Sequence, residues 1–249
     1  MRFENKVAVV TGSGGGIGES YARALAAEGA AVVIAEINEE HGRRVAGEIE
    51  NEGGTALFVA TDVSSEDSTI AMGKAAAATF GGVDYLINNA AIYKGMELHS
   101  MLTMPMDYYD KFMAVNMTGA LLATRAVYES MAARGGGAIV NQSSTAAWMG
   151  AGYYGIAKLA LHGLTQSLAK ELGPRGIRVN AIAPGPTDTE ATRSVVPEEF
   201  IGEIVKGMAI QRLARPEEMV GACLFLLSEE ASFVTAQIVA VDGGQIMRT

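Results

Sequence analysis

The chain has 249 residues, 49% hydrophobic and 19% charged, with a formal charge of -9. That balance excludes a disordered chain and suits one α/β domain with a substantial core. With no cluster of lysines and arginines it also excludes a nucleic-acid partner. The single Cys223 excludes a disulfide within the chain and, in the apolar run Gly221 to Leu227, reads as a small buried hydrophobe. Met1 to Lys6 leads into a strand without a signal-peptide core. No apolar run reaches the ~18 residues of a membrane span, so no membrane segment and a cytoplasmic location are expected.

The first element is a short β-branched strand, Val7 to Val10, closed by Thr11-Gly12-Ser13-Gly14-Gly15-Gly16-Ile17-Gly18. Tyr21, Ala22, Leu25 and Ala26 then recur at helical spacing up to Gly29. A strand, a glycine loop and a helix bring bare backbone N–H groups and a positive helix end to a phosphate. No lysine follows the glycines, which disfavours a triphosphate loop. The ordinary dinucleotide spacing does not fit either, since counting from Gly12 its last glycine falls on Ile17; what stands is Gly12, Gly16 and Gly18. A second strand, Ala31 to Ala35, ends on Glu36, an acid placed to accept hydrogen bonds from an adenosine ribose and to repel a 2′-phosphate. Neither Ser13 nor Ile37 is basic, so NAD is favoured over NADP.

Helices are predicted over Glu39 to Asn51 and Glu66 to Phe80, with strands at Thr55 to Ala60 and Asp84 to Ile87. Strands alternating with helices of this length imply parallel pairing with right-handed crossovers, hence a doubly wound sheet. Ligands collect beyond the carboxyl ends of such strands, where Asp62 and Asn88-Asn89-Ala90-Ala91 fall. The segment Ile92 to Pro105 has no period and is rich in methionine, which suits the border of an apolar pocket or a packed loop. His41, His99 and His162 lack a sequence-evident partner and read as surface or capping residues, and no metal-ligand cluster exists.

Asp107 to Arg134 reads as one long helix with Asn116 in its interior. Asparagine there competes with backbone bonding, which suggests a kink or a functional water. The strand Ile139 to Gln142 is followed by Ser143-Ser144 and by a helix predicted over Gly152 to Leu172. Tyr154 and Lys158 lie one turn apart on one helix face. That is an ordinary amphipathic contact or an acid/base pair in which the ammonium favours the phenolate. The strand Arg178 to Ala183 runs into Pro184-Gly185-Pro186-Thr187-Asp188-Thr189, and residues 188–210 read as a lid over a substrate. Arg215-Pro216-Glu217-Glu218 opens the last helix, and Gln237 to Val241 is the last strand.

Taken together, the glycine loop Thr11 to Gly18, Asn88-Asn89-Ala90-Ala91, Asn116, Ser144 and Tyr154-Gly155-Ile156-Ala157-Lys158 resemble the classical short-chain dehydrogenases/reductases over almost the whole chain. The resemblance implies a single Rossmann-type domain over residues 1–249, a seven-stranded parallel sheet and a homotetramer. It implies that Tyr154 is the general acid/base, that Lys158 lowers its pKa and bonds the nicotinamide ribose, that Ser144 orients the substrate oxygen, and that Asn116 holds a water. It places Gly12, Gly16 and Gly18 at the pyrophosphate with Ile17 below, Glu36 on the adenosine ribose, and Asp62 and Val63 at the adenine. Asn89 and Ala90 then meet the ribose side, while the Pro184-Gly185 turn, with Thr187 and the Thr189 hydroxyl, holds the carboxamide. In such families the helix carrying Leu121, Leu122 and Met131 commonly meets symmetry mates.

Three positions depart from the pattern. The Ser144 to Tyr154 interval is a few residues short, leaving Ser143 as an alternative to Ser144. Ala91 stands where glycine is usual, and Thr187 where an aliphatic residue is usual. The expected function is NAD-dependent hydride transfer between nicotinamide and a secondary alcohol or ketone. The alternatives are a 3-oxoacyl-thioester (acyl-carrier-protein) reductase and a non-catalytic cofactor-binding regulatory or scaffold protein. Trp148, Tyr153, Met96, Met149 and the lid suggest an apolar pocket for cyclic alcohols, aromatic diols or steroid-like ketones.

Overall fold

A computed structural model describes residues 1–247; the last two residues of the expected domain lie outside the described residues. Seven parallel strands run in the order β3-β2-β1-β4-β5-β6-β7. They are β1 (Val7–Thr11), β2 (Ala31–Glu36), β3 (Thr55–Ala60), β4 (Tyr85–Asn88), β5 (Gly137–Gln142), β6 (Ile177–Pro184) and β7 (Ile238–Val241). The helices are α1 (Gly16–Ala27), α2 (Glu39–Asn51), α3 (Glu66–Phe80), α4 (Met106–Met113), α5 (Gly119–Ala133), α6 (Gly152–Leu172), α7 (Glu190–Val195), α8 (Glu198–Lys206) and α9 (Val220–Leu227). The predicted Rossmann-type, doubly wound single domain is what folds.

Strand alternation sorts the core into two layers. Ala8, Val10, Val32, Ile34, Ala138 and Val140 face α1, α2 and α9, packing with Tyr21, Leu25, Val45, Ile49 and Leu226. Val9, Val33, Ala35 and Ile139 face α3, α5 and α6, packing with Met72, Val127, Leu168 and Leu172. Met131 is fully buried in this second layer, so it packs on the sheet and presents nothing to a symmetry mate, and Leu121 leans on the same layer. Cys223 is completely buried, as its apolar run predicts.

The sequence order reverses between β1 and β4, and there the strand ends are zipped together. The Thr11 hydroxyl donates to the Ile87 carbonyl at 3.3 Å and accepts the N–H groups of Asn89 and Ala90 at 3.0 and 3.1 Å. At the opposite end Asp84, just outside the strand predicted to contain it, accepts Val7 N–H at 2.8 Å and pairs with Arg134 at 2.9 Å. The predicted helix from Asp107 to Arg134 is interrupted. Residues Ala114–Thr118 form a π turn between α4 and α5, with Asn116 at its centre. Such wide turns relieve an unfavourable residue locally and recur at functional positions. The segment opened by Pro216 likewise begins as a 3₁₀ turn, Pro216–Met219, before α9. Among the described residues no helix is long and apolar enough to cross a membrane.

Candidate active site

A cleft of about 1130 Å³ opens beyond the carboxyl ends of the strands, at the β1/β4 reversal. One wall is the glycine loop. Helix α1 starts at Gly16 with no side-chain cap on its first turn, so its leading N–H groups stay available to an anion. A methyl group built on Gly15 meets nothing within 4 Å, and one on Gly16 meets only Thr189 at 3.6 Å, so the loop presents an open backbone face. Elsewhere the loop is packed tight. A Cβ on Gly12, whose φ is +63°, falls 2.6 Å from Ala90 Cα, and one on Gly18 falls 2.3 Å from the Gly12 carbonyl oxygen. This fits the pyrophosphate of a dinucleotide: the backbone is bare where the phosphates would sit and rigid behind.

Glu36 Oε2 accepts Gly14 N–H at 2.9 Å and Oε1 accepts Asn38 N–H at 3.0 Å, which fixes the carboxylate while leaving lone pairs for ribose hydroxyls. The nearby Arg44 donates to the Gly14 carbonyl and is committed to Glu19 at 2.7 Å and Glu48 at 2.9 Å. Glu19 is held low by the two arginines Arg44 and Arg23, against the opposing effect of burial. Asp62, Val63, Asn89, Ala90, Ile17, Pro184, Gly185, Thr187 and Thr189 all line the cleft. The Asn89 amide is spent bracing the loop, donating to the Thr11 and Gly12 carbonyls at 3.0 and 2.8 Å. The Thr189 hydroxyl caps α7 by accepting Thr192 N–H at 3.0 Å, and Asp62 accepts Ser64 N–H at 2.9 Å.

Ser144, Tyr154 and Lys158 converge on the cleft. β5 runs out through Gln142, Ser143 and Ser144, and α6 carries Tyr154 and Lys158 past that end. The Lys158 ammonium donates to the Gln142 carbonyl at 3.0 Å and lies 5.8 Å from the Tyr154 ring centroid. Burial drops the Lys158 pKa to about 8. The Tyr154 phenol is pushed well up by burial and then by Tyr93, while the Ser144 hydroxyl pulls the other way. In the chain alone, therefore, burial outweighs the phenolate-favouring effect expected of Lys158. Ser144 faces the phenol, whereas Ser143 is buried against α6, which separates the two serines that the sequence left open.

Asn116 sits behind the cleft wall. Its amide donates to the Phe112 carbonyl at 3.0 Å, and its buried Oδ1 has no protein partner. A buried acceptor left unpaired costs about 1–3 kcal/mol, so the position suits an internal water.

The opposite wall holds residues that the sequence did not single out, two of them within the segment Ile92 to Pro105 read as a pocket border or packed loop. The Tyr93 ring packs 5.2 Å from that of Tyr154; burial raises the Tyr93 phenol, and the nearby Thr192 side chain of α7 opposes that rise. Lys94 pairs with Glu190 at 2.5 Å across the mouth. Gln142 and Gln245 line the floor, where Gln245 Oε1 accepts the Thr145 hydroxyl at 2.8 Å. A phenol four residues after Asn89 was the available signal for Tyr93; Gln245 had none. Met96 and Met149 line the cleft as expected, with Val195, Val196, Phe200, Ile201 and Ile204 of the lid segment. Tyr153 does not: it points into an aromatic cluster with Phe112 and Tyr108, its hydroxyl donating to the Glu97 carbonyl. Trp148 is turned onto His162. That histidine is buried, not a surface residue, and His99 is paired with Glu97 at 2.8 Å. Among the described residues no cluster of potential metal ligands occurs.

A family model described as enoyl-(acyl carrier protein) reductase matches residues 12–245. An uncharacterized oxidoreductase of Mycobacterium tuberculosis is 59% identical over 247 residues, covering 99% of this chain and 100% of its own. A cis-4-hydroxycyclohexanecarboxylate dehydrogenase of Sinomonas cyclohexanicum is 41% identical over 246 residues, 97% of each chain. Among solved structures, a 7α-hydroxysteroid dehydrogenase complexed with NADH and 7-oxo glycochenodeoxycholic acid superposes with a TM-score of 0.92 at 34% identity, over 99% of this chain and 96% of that one. The chain belongs to the short-chain dehydrogenase/reductase family and is an oxidoreductase of that family.

Proposed function

We propose that the chain is an NAD-dependent oxidoreductase acting on CH–OH, which moves a hydride between nicotinamide and a secondary alcohol or its ketone. The observation that carries this reading is the convergence of Ser144, Tyr154 and Lys158 on one cleft beside a bare glycine loop. Gly12, Gly16, Ile17 and Gly18 would hold the pyrophosphate, Glu36 the adenosine ribose, Asp62 and Val63 the adenine, and Asn89 and Ala90 the wall beside the ribose. The Pro184-Gly185 turn, Thr187 and Thr189 would hold the carboxamide. When bound, the oxidised nicotinamide accepts the hydride and brings positive charge.

Ser144 orients the substrate oxygen. Tyr154 takes the hydroxyl proton in oxidation and returns one in reduction. Lys158, with a pKa near 8, stays mostly protonated at neutral pH and supplies the fixed charge beside the phenol. Asn116, whose buried Oδ1 lacks a protein partner, would hold a water for the proton relay. Glu36, with Arg44 already committed to Glu19 and Glu48, supports NAD over NADP.

The lining of Ile92, Met96, Met149, Val195, Phe200 and Ile204 supports an apolar, cyclic alcohol. Both the cis-4-hydroxycyclohexanecarboxylate dehydrogenase and the 7α-hydroxysteroid dehydrogenase that the chain resembles are named for ring-borne hydroxyls, which supports the same reading. We further propose a cytoplasmic homotetramer, with Leu122 of α5 and the exposed Ile156 and Leu159 of α6 at a subunit face.

The test is NADH formation over a panel of cyclic secondary alcohols, run beside Tyr154→Phe. The variant should bind NADH and lose about 10²–10⁴ of the turnover. Turnover by the wild type that survives in the variant would overturn the role of Tyr154, and turnover no slower with NADP would overturn that of Glu36. The family model's description raises a carrier-protein thioester as a second reading. The charge of -9 opposes docking of an acidic carrier, and reduction of an acyl thioester in preference to every ketone would establish it.

A further inference from the structure

We infer that His162 is a positioning residue: through Ser143 and Trp148 it fastens the end of β5, which carries Ser144, to the turn of α6 that carries Lys158. The inference rests on the catalytic reading of Ser144, Tyr154 and Lys158 above.

Three successive residues leaving β5 each meet α6 in a different way. The Gln142 carbonyl receives the Lys158 ammonium at 3.0 Å. The Ser143 hydroxyl is 3.0 Å from the Lys158 carbonyl and 2.8 Å from His162 Nε2. Ser144 faces Tyr154. Successive side chains of an extended segment point to opposite sides, so Ser144 faces the cleft only while Ser143 faces the helix. A buried hydroxyl is stable there only with polar partners, and His162, one turn beyond Lys158 and only 7% exposed, is one of them.

The proton count fixes the roles. The Ser143 hydroxyl carries one hydrogen, which its geometry gives to the Lys158 carbonyl. Its oxygen then accepts, so His162 Nε2 carries a hydrogen and donates. The imidazole also packs against Trp148, ring centroids 4.9 Å apart and planes tilted by 43°. Trp148 closes the 3₁₀ turn Thr145–Trp148 inside the short Ser144 to Tyr154 interval. One ring therefore touches both the serine end and the turn that follows it. Groups of this kind act by fixing the orientation of the reacting side chains rather than by touching substrate.

Three variants test it. His162→Phe keeps a flat ring for Trp148 and removes the bond to Ser143. His162→Gln returns an N–H donor. Ser143→Ala removes the other partner with little change of volume. The expected result is a fall in kcat of about ten-fold or more in His162→Phe and in Ser143→Ala, with the KM for NAD within about two-fold and most of kcat recovered in His162→Gln. The double variant His162→Phe/Ser143→Ala should be no slower than either single one, because both break one bond. The chain's single tryptophan reports the fold at the same spot: Trp148 emission should be retained in His162→Phe.

A His162→Phe variant with a lower melting temperature but kcat within about two-fold of wild type would overturn the inference and leave His162 as core packing. Multiplicative losses in the double variant would overturn it too. Should wild type turn over no alcohol, the proposed reaction fails separately, and crystal structures of wild type and His162→Phe then decide the positioning claim. A lengthened Lys158 to Gln142 contact supports it, and an unmoved Ser144 and Lys158 overturns it.

Discussion

The two halves of the cleft are built on opposite plans. The side read as the cofactor's is backbone: glycines at Gly12 and Gly18 packed against Ala90, Asn89 and each other, with side chains such as Asn89 and Thr11 spent on bracing backbone carbonyl and N–H groups. The substrate side is side chain: Met96, Leu98, Met149 and Phe200 on loops and short helices, with Leu98 and Phe200 77% and 58% exposed. A diphosphate is the same in every dinucleotide, so a rigid cradle suits it; an apolar substrate varies, and adaptable side chains suit that. Substitutions should therefore cost fold and cofactor on the first side, and only substrate affinity on the second.

The sharpest break of this contrast comes from two neighbouring glycines. Gly18→Ala puts a methyl 2.3 Å from the Gly12 carbonyl and 2.4 Å from the Asn89 amide, so the backbone must move. We expect a loss of roughly 3 kcal/mol of stability, seen as an earlier urea midpoint. Gly15→Ala meets nothing in the chain, and its φ of -178° suits any residue. It should leave the urea midpoint in place and weaken NADH binding by about ten- to hundred-fold, because its methyl meets the phosphate. Equal damage to fold by both, or full NADH affinity in Gly15→Ala, would show that the loop is not the cradle described.

The second effect in size sits where the halves meet. Lys158 is 2% exposed, and burial takes its pKa to about 8 against an ordinary 10.5. Between those values the unfolded chain holds a proton that the folded chain has released, so stability should rise with pH across that window by about 3 kcal/mol. Lys158→Met removes the buried charge. Its melting temperature should exceed that of wild type at pH 7, with the gap closing toward pH 10, while turnover is lost. A variant less stable than wild type at pH 7 would mean that the Gln142 contact offsets the burial.

The same division decided what could be read from the sequence. The cofactor side was legible because backbone demands leave marks: glycines at fixed offsets, an acid after a strand, asparagines at another strand end. Ser144, Tyr154 and Lys158 were legible because strand end and helix turn bring them together with no long-range packing needed. Their electrostatics were not, since burial outweighs the helical neighbour Lys158 in setting the Tyr154 phenol, and burial is a tertiary quantity. Tyr153 and Trp148 were misread as pocket residues because neither the first turn of a helix nor a short 3₁₀ turn fixes from sequence which way its aromatic points; one fills a cluster with Phe112 and the other covers His162. The π turn at Asn116 was visible only as an unfavourable residue in a helix. Part of the stretch read as a lid lines the cleft, but the residues it meets there, Tyr93 and Lys94, lie about a hundred residues away in sequence.

On the substrate side, Phe200→Ala tests the other limb of the comparison. The ring is more than half exposed, so its loss should change stability by no more than about 0.5 kcal/mol while raising the substrate KM about ten-fold. NAD affinity should not move. A drop in NAD affinity instead would place α8 against the cofactor and blur the division.

The smallest effect belongs to the bar across the mouth. Lys94 and Glu190 are joined at 2.5 Å but remain 56% and 77% exposed, so water screens the pair and little energy stands behind it. The pair nonetheless links the loop after β4 to the first residue of α7, close to where Tyr93 and Thr192 of the same two segments approach each other. If it serves only to bias the lid shut, Lys94→Ala should change the substrate KM by less than about three-fold, and raising the ionic strength should reproduce that change in wild type and not in the variant. A change larger than ten-fold, unaffected by salt, would mean that Lys94 contacts the substrate itself, and the mouth would then belong to the recognition surface rather than to the lid.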